Sequence, residues 1–323
     1  MSSDDWEIPP NLQPDPTDLR YDLDLALRSV VGLRSVIPAD AFTARVLGTE
    51  REGSGVMIRP DGLILTIGYL VTEAETIWIT TADGMAYQGH ALAIDQETGF
   101  ALVQALGRPR VPAIALGDSE TVPVGTECVF ASAGGRRHAV ACKLAARQPF
   151  AGYWEYLMED ALFTAPAHPS WGGAALIGED GKLLGIGSLI LQQGEGGRRL
   201  DINMVVPVHR LVPILDEILA HGRRRENPRP WLGLYATEDE QGIGVASLAP
   251  GGPAEEAGVH AGDRIVSVGG EAVEDLAGLW RAVWQAGDAG ARVKLRLSRG
   301  RAARDVVVVS SDRMRFLKAP RLH

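Results

Sequence analysis

Positive charge is in short supply in this chain: 32 Lys and Arg face 41 Asp and Glu, a formal charge of −9. Nucleic acid and anionic membrane are therefore not expected as partners, because binding phosphates needs a concentrated positive field. The only basic clusters, Arg223-Arg224-Arg225 and a scatter near the C-terminus, read as solvated faces. Cysteine is scarcer still. Cys128 and Cys142 lie in apolar contexts and read as reduced core residues, with a disulfide between neighbouring strands as the alternative.

No apolar run is long enough to span a bilayer. The first thirty residues, with Asp4, Asp5, Trp6, Glu7, Pro9 and Pro10, lack a basic region followed by an apolar one, so no secretory signal is expected. A cytoplasmic location follows as the expectation if Met1 is the native start, and a periplasmic one if that start is missing. The seven histidines show no metal-ligand spacing, and neither a metal site nor a cofactor is expected. Disorder is excluded by composition, since 46% of the residues are hydrophobic and 23% charged.

What the chain does contain is a long series of short apolar runs separated by turn signals. Pro60-Asp61-Gly62 supplies the fixed φ and the left-handed position of a tight hairpin between Gly53 to Ile58 and Leu63 to Thr66. Similar punctuation recurs at Asp83-Gly84, Asp118-Ser119 and Asp180-Gly181, so the fold class is mainly β. A flexible N-terminal arm is expected over 1–16 and a helical segment over 17–40, from the spacing of Leu23, Leu25, Leu27, Val30, Val31 and Leu33. A strand over Thr43 to Leu47 is expected to open a β domain, barrel or sandwich, at 41–220 that a helix from Val208 to Ala220 closes. A linker at 221–230, a second domain at 231–310 and a tail at 311–323 complete the organisation.

The motifs are specific. Gly53-Ser54-Gly55-Val56-Met57-Ile58, Asp61-Gly62-Leu63-Ile64-Leu65-Thr66, Ala113-Ile114-Ala115-Leu116-Gly117-Asp118-Ser119 and Trp171-Gly172-Gly173-Ala174-Ala175-Leu176 resemble the HtrA/DegP family of serine proteases. The resemblance implies a chymotrypsin/trypsin-like double β-barrel followed by a PDZ domain. It also locates three degenerate positions: Tyr69 stands where the family has its catalytic histidine, Gly99 where it has the orienting aspartate and Trp171 where it has the nucleophilic serine. An indole carries no nucleophilic oxygen or sulfur, a tyrosine of ordinary pKa is a poor base at neutral pH, and glycine has no side chain. Pro169 falls where an oxyanion-hole N–H is needed and has none.

A shifted dyad of Ser170 with His168 is conceivable, but both read as loop residues. Tyr69 and Trp171 either fill the former cleft or line a pocket that binds peptide without cutting it.

From Pro230 onward, Trp231-Leu232-Gly233-Leu234 and Pro253-Ala254-Glu255-Glu256-Ala257-Gly258 to Gly262-Asp263-Arg264-Ile265 resemble an HtrA-type PDZ domain. The resemblance implies that N–H groups around Leu232-Gly233 hold a peptide's terminal carboxylate while the peptide adds as a strand to the sheet edge. Trp231, Leu232, Gly233, Leu234 and Trp280 are the expected peptide-binding residues, with a structural role for Trp280 and Trp284 as the alternative. The expected function is that of a noncatalytic HtrA-like protein, a pseudoprotease in protein quality control acting as adaptor, scaffold or holdase. Its expected partners are peptides or protein C-termini, misfolded proteins among them, and copies of itself in a homo-oligomer, a trimer by family analogy. The alternatives are a serine endopeptidase with a rebuilt site and a regulatory subunit of an active relative.

Overall fold

The computed structural model describes residues 6–195, 198–300 and 302–318. Six strands close the first barrel: β1 (Val30–Val36), β2 (Glu50–Arg59), β3 (Leu63–Ile67), β4 (Thr76–Thr80), β5 (Ala86–Ile94) and β6 (Phe100–Ala105), in the order β1-β2-β3-β6-β5-β4. Another six close the second: β7 (Glu127–Ala131), β8 (Ala139–Gly152), β9 (Tyr156–Ala165), β10 (Ala175–Ile177), β11 (Leu183–Glu195) and β12 (Arg198–Pro207), ordered β10-β11-β12-β9-β8-β7. Closure removes free sheet edges and leaves each strand one face for its own interior. In β4, Ile77 and Ile79 point inward while Trp78 between them faces out. All five residues of β3 are buried, because β11 of the second barrel lies against its outer face. This seam is where the candidate site sits.

Several elements differ from the sequence expectation. The expected helix over 17–40 is only a short α1 (Leu23–Leu27), capped by the Asp22 carboxylate, which accepts the Leu25 N–H at 2.9 Å. Val30–Val36 is instead β1, the strand that pairs with both β2 and β4 and closes the first barrel. Val31, Leu33 and Ser35 alternate inward with Arg34 outward, a period of two that the leucines upstream masked. The expected strand at Thr43 to Leu47 is the helical turn α2 (Ala44–Leu47). The helix expected from Val208 is broken into a 3₁₀ turn (Val208–Arg210) and α3 (Leu215–His221), as an interior Pro213 requires.

The arm expected to be mobile is anchored over its described part: Ile8 is buried and donates its N–H to Arg137 O, and Trp6 sets its ring edge-on to His138 and His168. Residues 1–5 lie outside the described residues. Cys128 and Cys142 face each other across β7 and β8 as free, buried thiols, and burial pushes the Cys128 thiol up to about 12.

The chain divides into two units, and the boundary is not a single cut. One comprises residues up to Gln148 with Asp160–Arg223, the two barrels; the other comprises Arg224–Lys318 and, in addition, Pro149–Glu159, the tip of the β8–β9 hairpin. In the second unit a sheet ordered β13 (Leu234–Asp239), β14 (Gly242–Leu248), β15 (Arg264–Val268), β17 (Arg292–Arg299), β18 (Ala302–Val309), with β16 (Glu271–Ala272) on β15, packs with α4 (Pro253–Glu256) and α5 (Leu276–Gln285). In β17 the inward Val293, Leu295 and Leu297 alternate with charged residues. The segment expected as a tail folds back: Ser311 pairs with Trp231, and the Phe316 ring lies 4.6 Å from the Trp231 ring. Residues 319–323 of that tail are outside the described part.

Candidate functional site

At the end of β3 the chain makes a 3₁₀ turn, Gly68–Leu70, that carries Tyr69. The turn is fixed from both sides. Gly68 donates its N–H to Gly99 O at 2.6 Å, and a Cβ on Gly68 would stand 3.1 Å from that oxygen. The buried Arg51 donates through Nη1 to the carbonyls of Tyr69 (2.7 Å) and Thr72 (3.0 Å), and through Nη2 to Thr43 Oγ1 at 2.8 Å. Glu73 closes the network by accepting the N–H groups of Phe42 and Thr43. Neither Arg51 nor Glu73 is named by any motif; a buried charged pair far apart in sequence is a property of the fold.

The Tyr69 hydroxyl donates to Ser188 O at 2.9 Å. Burial raises its ionisation further above the ordinary tyrosine range, and a hydrogen bond with the Trp171 side chain opposes this only in part. Tyr69 and Trp171, expected at the base and nucleophile positions, thus meet each other, and the Tyr69 hydroxyl is a committed donor. Gly99, expected at the third position, has φ +82°, accepts from Gly68 through its carbonyl and donates its N–H to Asp95 O at 2.8 Å.

Trp171 is part-buried and packs on the core of the second barrel. The loop around it is tightly determined: Ser54 donates its N–H to Gly172 O at 2.8 Å, Gly173 N–H to Gly187 O at 2.9 Å and Ala174 N–H to Trp171 O at 3.1 Å. Pro169 is exposed. It provides no N–H at the position where the resemblance expects an oxyanion-hole donor.

His168 is fully buried, and both its nitrogens are engaged. Ser170 N–H donates to Nδ1 at 3.0 Å, which leaves the proton on Nε2, donated to His138 O at 2.9 Å. The Asn203 amide bridges the His168 backbone, accepting its N–H at 2.7 Å and donating to its carbonyl at 3.1 Å. A dyad with Ser170 is therefore not formed; His168 is a clasp that shapes the loop. Burial lowers its pKa to about 4, below the usual 6.5. Between those values the unfolded chain binds more protons than the folded one, so this contribution to stability, up to about 3 kcal/mol, is complete above about pH 6.5 and is lost as pH falls toward 4. The urea midpoint of the protein is expected to drop across that window, and a His168→Gln variant to show a flatter dependence; parallel curves would overturn the assignment.

A second constellation escaped sequence reading. Ser119 Oγ lies 2.9 Å from His209 Nδ1, and His209 Nε2 lies 2.7 Å from Asp160 Oδ2. The residue types are those of a hydrolytic triad, but Ser119 is wholly buried and its Oγ also accepts the His209 N–H at 2.9 Å. It ties β9 and the turn after β12 together rather than presenting a nucleophile. Among the described residues no group of three or more His, Cys, Asp or Glu converges as a metal site, and no helix is long and apolar enough to cross a membrane.

In the second unit the N–H groups of Leu232, Gly233 and Leu234, expected to hold a peptide's terminal carboxylate, converge. They converge on Glu155. Its Oε1 accepts from Gly233 at 2.7 Å, Leu234 at 2.8 Å and Leu232 at 3.2 Å, and its Oε2 accepts from Leu232 at 2.9 Å. Gly233 has φ +78°, which turns the successive amides toward one point. Burial pushes the Glu155 carboxyl up to about 7, against the lowering effect of these amides and of Arg313. Trp280 is fully buried in this unit's core and donates Nε1–H to Gly152 O at 2.9 Å. Trp231 is buried on Phe316, and Arg229 stacks 4.4 Å over the Trp284 ring. Trp231 and Trp280 are packing residues here; only the backbone of 232–234 is presented to a carboxylate.

Comparison with known proteins agrees with this architecture. Residues 53–186 match the trypsin-like peptidase domain family and residues 230–309 the PDZ domain family. A protein of Halomonas elongata named as a DegP-like periplasmic serine endoprotease is 26% identical over 277 residues, covering 80% of this chain and 56% of its own length. The serine protease HTRA1 of Xenopus tropicalis is 24% identical, covering 69% of this chain and 52% of its own. The chain thus spans about half the length of these curated relatives. Among solved structures, the HtrA-type protease AlgW with a decapeptide superposes with a TM-score of 0.54 at 20% identity, covering 93% of this chain and all of that one, a likeness of fold.

Proposed function

Because the chain belongs to the HtrA/DegP family, with a trypsin-like domain followed by a PDZ domain, we propose that it is a noncatalytic member that captures peptide or protein C-termini. The observation that carries this reading is the state of the base position: Tyr69 is part-buried, raised in pKa and already donating to Ser188 O, so no group there can take a proton from a nucleophile. Gly99, Trp171 and Pro169 remove the orienting group, the nucleophile and an oxyanion donor in turn. The relatives are named as serine endoproteases, and those names describe the relatives. A rebuilt endopeptidase site has one further set of residues to draw on, Ser119, His209 and Asp160, and the burial of Ser119 counts against it.

The binding half of the proposal rests on three backbone N–H groups aimed at a carboxylate beside β13, which stands at the end of its sheet. Adaptor, scaffold or holdase action on misfolded proteins, in a homotrimer as the family analogy suggests, is the corresponding role, and the relatives' names favour a periplasmic setting over a cytoplasmic one. The test is incubation of the purified chain with β-casein, with Trp171→Ala in parallel. Intact casein with both is the expected result. Fragments from the parent chain that disappear with Trp171→Ala would overturn the proposal.

A further inference from the structure

The groove beside β13 already holds a segment of this chain. Tyr153 O accepts the Ala236 N–H at 2.9 Å, a backbone bond to the edge strand of the sheet. Two residues on, the Glu155 carboxylate takes all three N–H groups of 232–234. Leu157 joins the hydrophobic core formed by Leu232, Leu234, Leu279 and Val283, with only 6% of its surface exposed. The segment is held at both ends of its turn: Trp280 donates to Gly152 O, and Arg281 forms a paired contact with the Glu159 carboxylate at 2.8 and 2.6 Å.

An edge-strand hydrogen bond, a carboxylate in the amide nest and an apolar side chain in the core are the three things a peptide C-terminus offers such a groove. Glu155 has φ +59°, a conformation that side-chain-bearing residues seldom adopt. The backbone here is bent so that an internal side chain, instead of a chain end, delivers the carboxylate.

We propose that the β8–β9 hairpin tip, Pro149–Glu159, is a built-in pseudo-ligand whose Glu155 carboxylate stands in for a terminal carboxylate, so that a peptide C-terminus enters only by displacing it. The proposal rests on the peptide-capture reading and adds its regulation. A tethered competitor acts at an effective concentration near the millimolar range. It sets a threshold that weak or amidated chain ends do not pass.

The test uses the full chain and a fluorescein-labelled peptide, Pro-Phe-Ala-Gly-Tyr-Trp-Leu, which copies the hairpin as far as Trp154 and ends in a free carboxylate, with its C-terminal amide as control. Anisotropy titrations of the parent, Glu155→Ala and Arg281→Ala are paired with hydrogen exchange of the 232–234 amides in the absence of peptide. Glu155→Ala should bind the acid peptide at least about tenfold more tightly than the parent, with faster amide exchange and no binding of the amide. Arg281→Ala, a change on the surface that carries the test if Glu155→Ala does not fold, should shift both readouts in the same direction by about two- to fivefold.

Equal affinities with unchanged exchange would overturn the pseudo-ligand and leave peptide capture standing. Exposed amides in Glu155→Ala with no binding of the acid peptide would overturn peptide capture itself, and the hairpin's role as its competitor with it.

Discussion

Replacing Trp171 by serine is expected to restore no proteolysis. In a Ser-His-Asp enzyme the members act as a unit, and losing the nucleophile or the base alone costs about as much as losing all three, about 10⁶-fold in rate. A serine at 171 would face Tyr69, whose hydroxyl is a donor to Ser188 O and resists ionisation, so its proton would have no acceptor. The triple variant Tyr69→His, Gly99→Asp, Trp171→Ser supplies the missing side chains but keeps Pro169, and it should remain roughly 10²- to 10³-fold below a complete site for want of one oxyanion donor. Aspartate at 99 must also adopt φ near +82°, where a side chain is strained. Casein cleavage followed by gel is the measurement. Efficient cleavage by the single Trp171→Ser variant would show that a base exists elsewhere in the cleft.

Gly173→Ala should be the most damaging single change in the first unit. A Cβ at 173 would stand 1.8 Å from Ser54 O and 2.6 Å from Thr66 Oγ1, with φ at +74°. Those two atoms are themselves hydrogen-bonded at 2.7 Å, and Ser54 also receives the loop through Gly172 O and holds Ala133 N–H on its Oγ. The obstacle is backbone at the seam of two barrels, which has no rotamer to yield, so a loss above about 4 kcal/mol is expected. Gly125→Ala isolates the conformational part, since Gly125 also has positive φ, +96°, but nothing within 4 Å of its would-be Cβ. It should cost about 1 to 2 kcal/mol. Urea midpoints of the two variants, or recovery of Gly173→Ala only in the insoluble fraction, decide the matter; equal losses would mean that the close approach at the seam is relieved without cost.

The glycine pair 172–173 was legible as a motif, and at Gly173 the close approach of Ser54 O permits no other residue; the turn at Pro60-Asp61-Gly62 was legible because its last position needs a left-handed backbone. Gly62 takes φ +93° between β2 and β3. Where the sequence pattern misled, two periodicities overlapped. Leu23, Leu27, Val30 and Val31 fall at i, i+4, i+7 and i+8 and fit one face of a helix, yet closing the barrel requires a strand that pairs on both sides, and pairing along two edges outweighs local propensity. The anchored arm was missed for a related reason: a proline-rich composition says nothing of where a single Ile8 or Trp6 finds its hole.

What the sequence by itself determined is the fold class and the residue types at the positions the resemblance singles out. Turn signals mark a mainly β chain, the resemblance implies two barrels and a PDZ domain, and Tyr69, Gly99, Trp171 and Pro169 carry none of the groups that the resemblance expects at those positions, whatever the fold. Only the tertiary structure decided what those positions do instead, and what fills the peptide groove. His168 became a neutral clasp because two backbone groups and Asn203, 35 residues away, converge on it. Glu155 entered the amide nest of Leu232–Leu234 from 77 to 79 residues away. A hydrogen bond depends on distance and direction in space, and neither is written in the order of the residues.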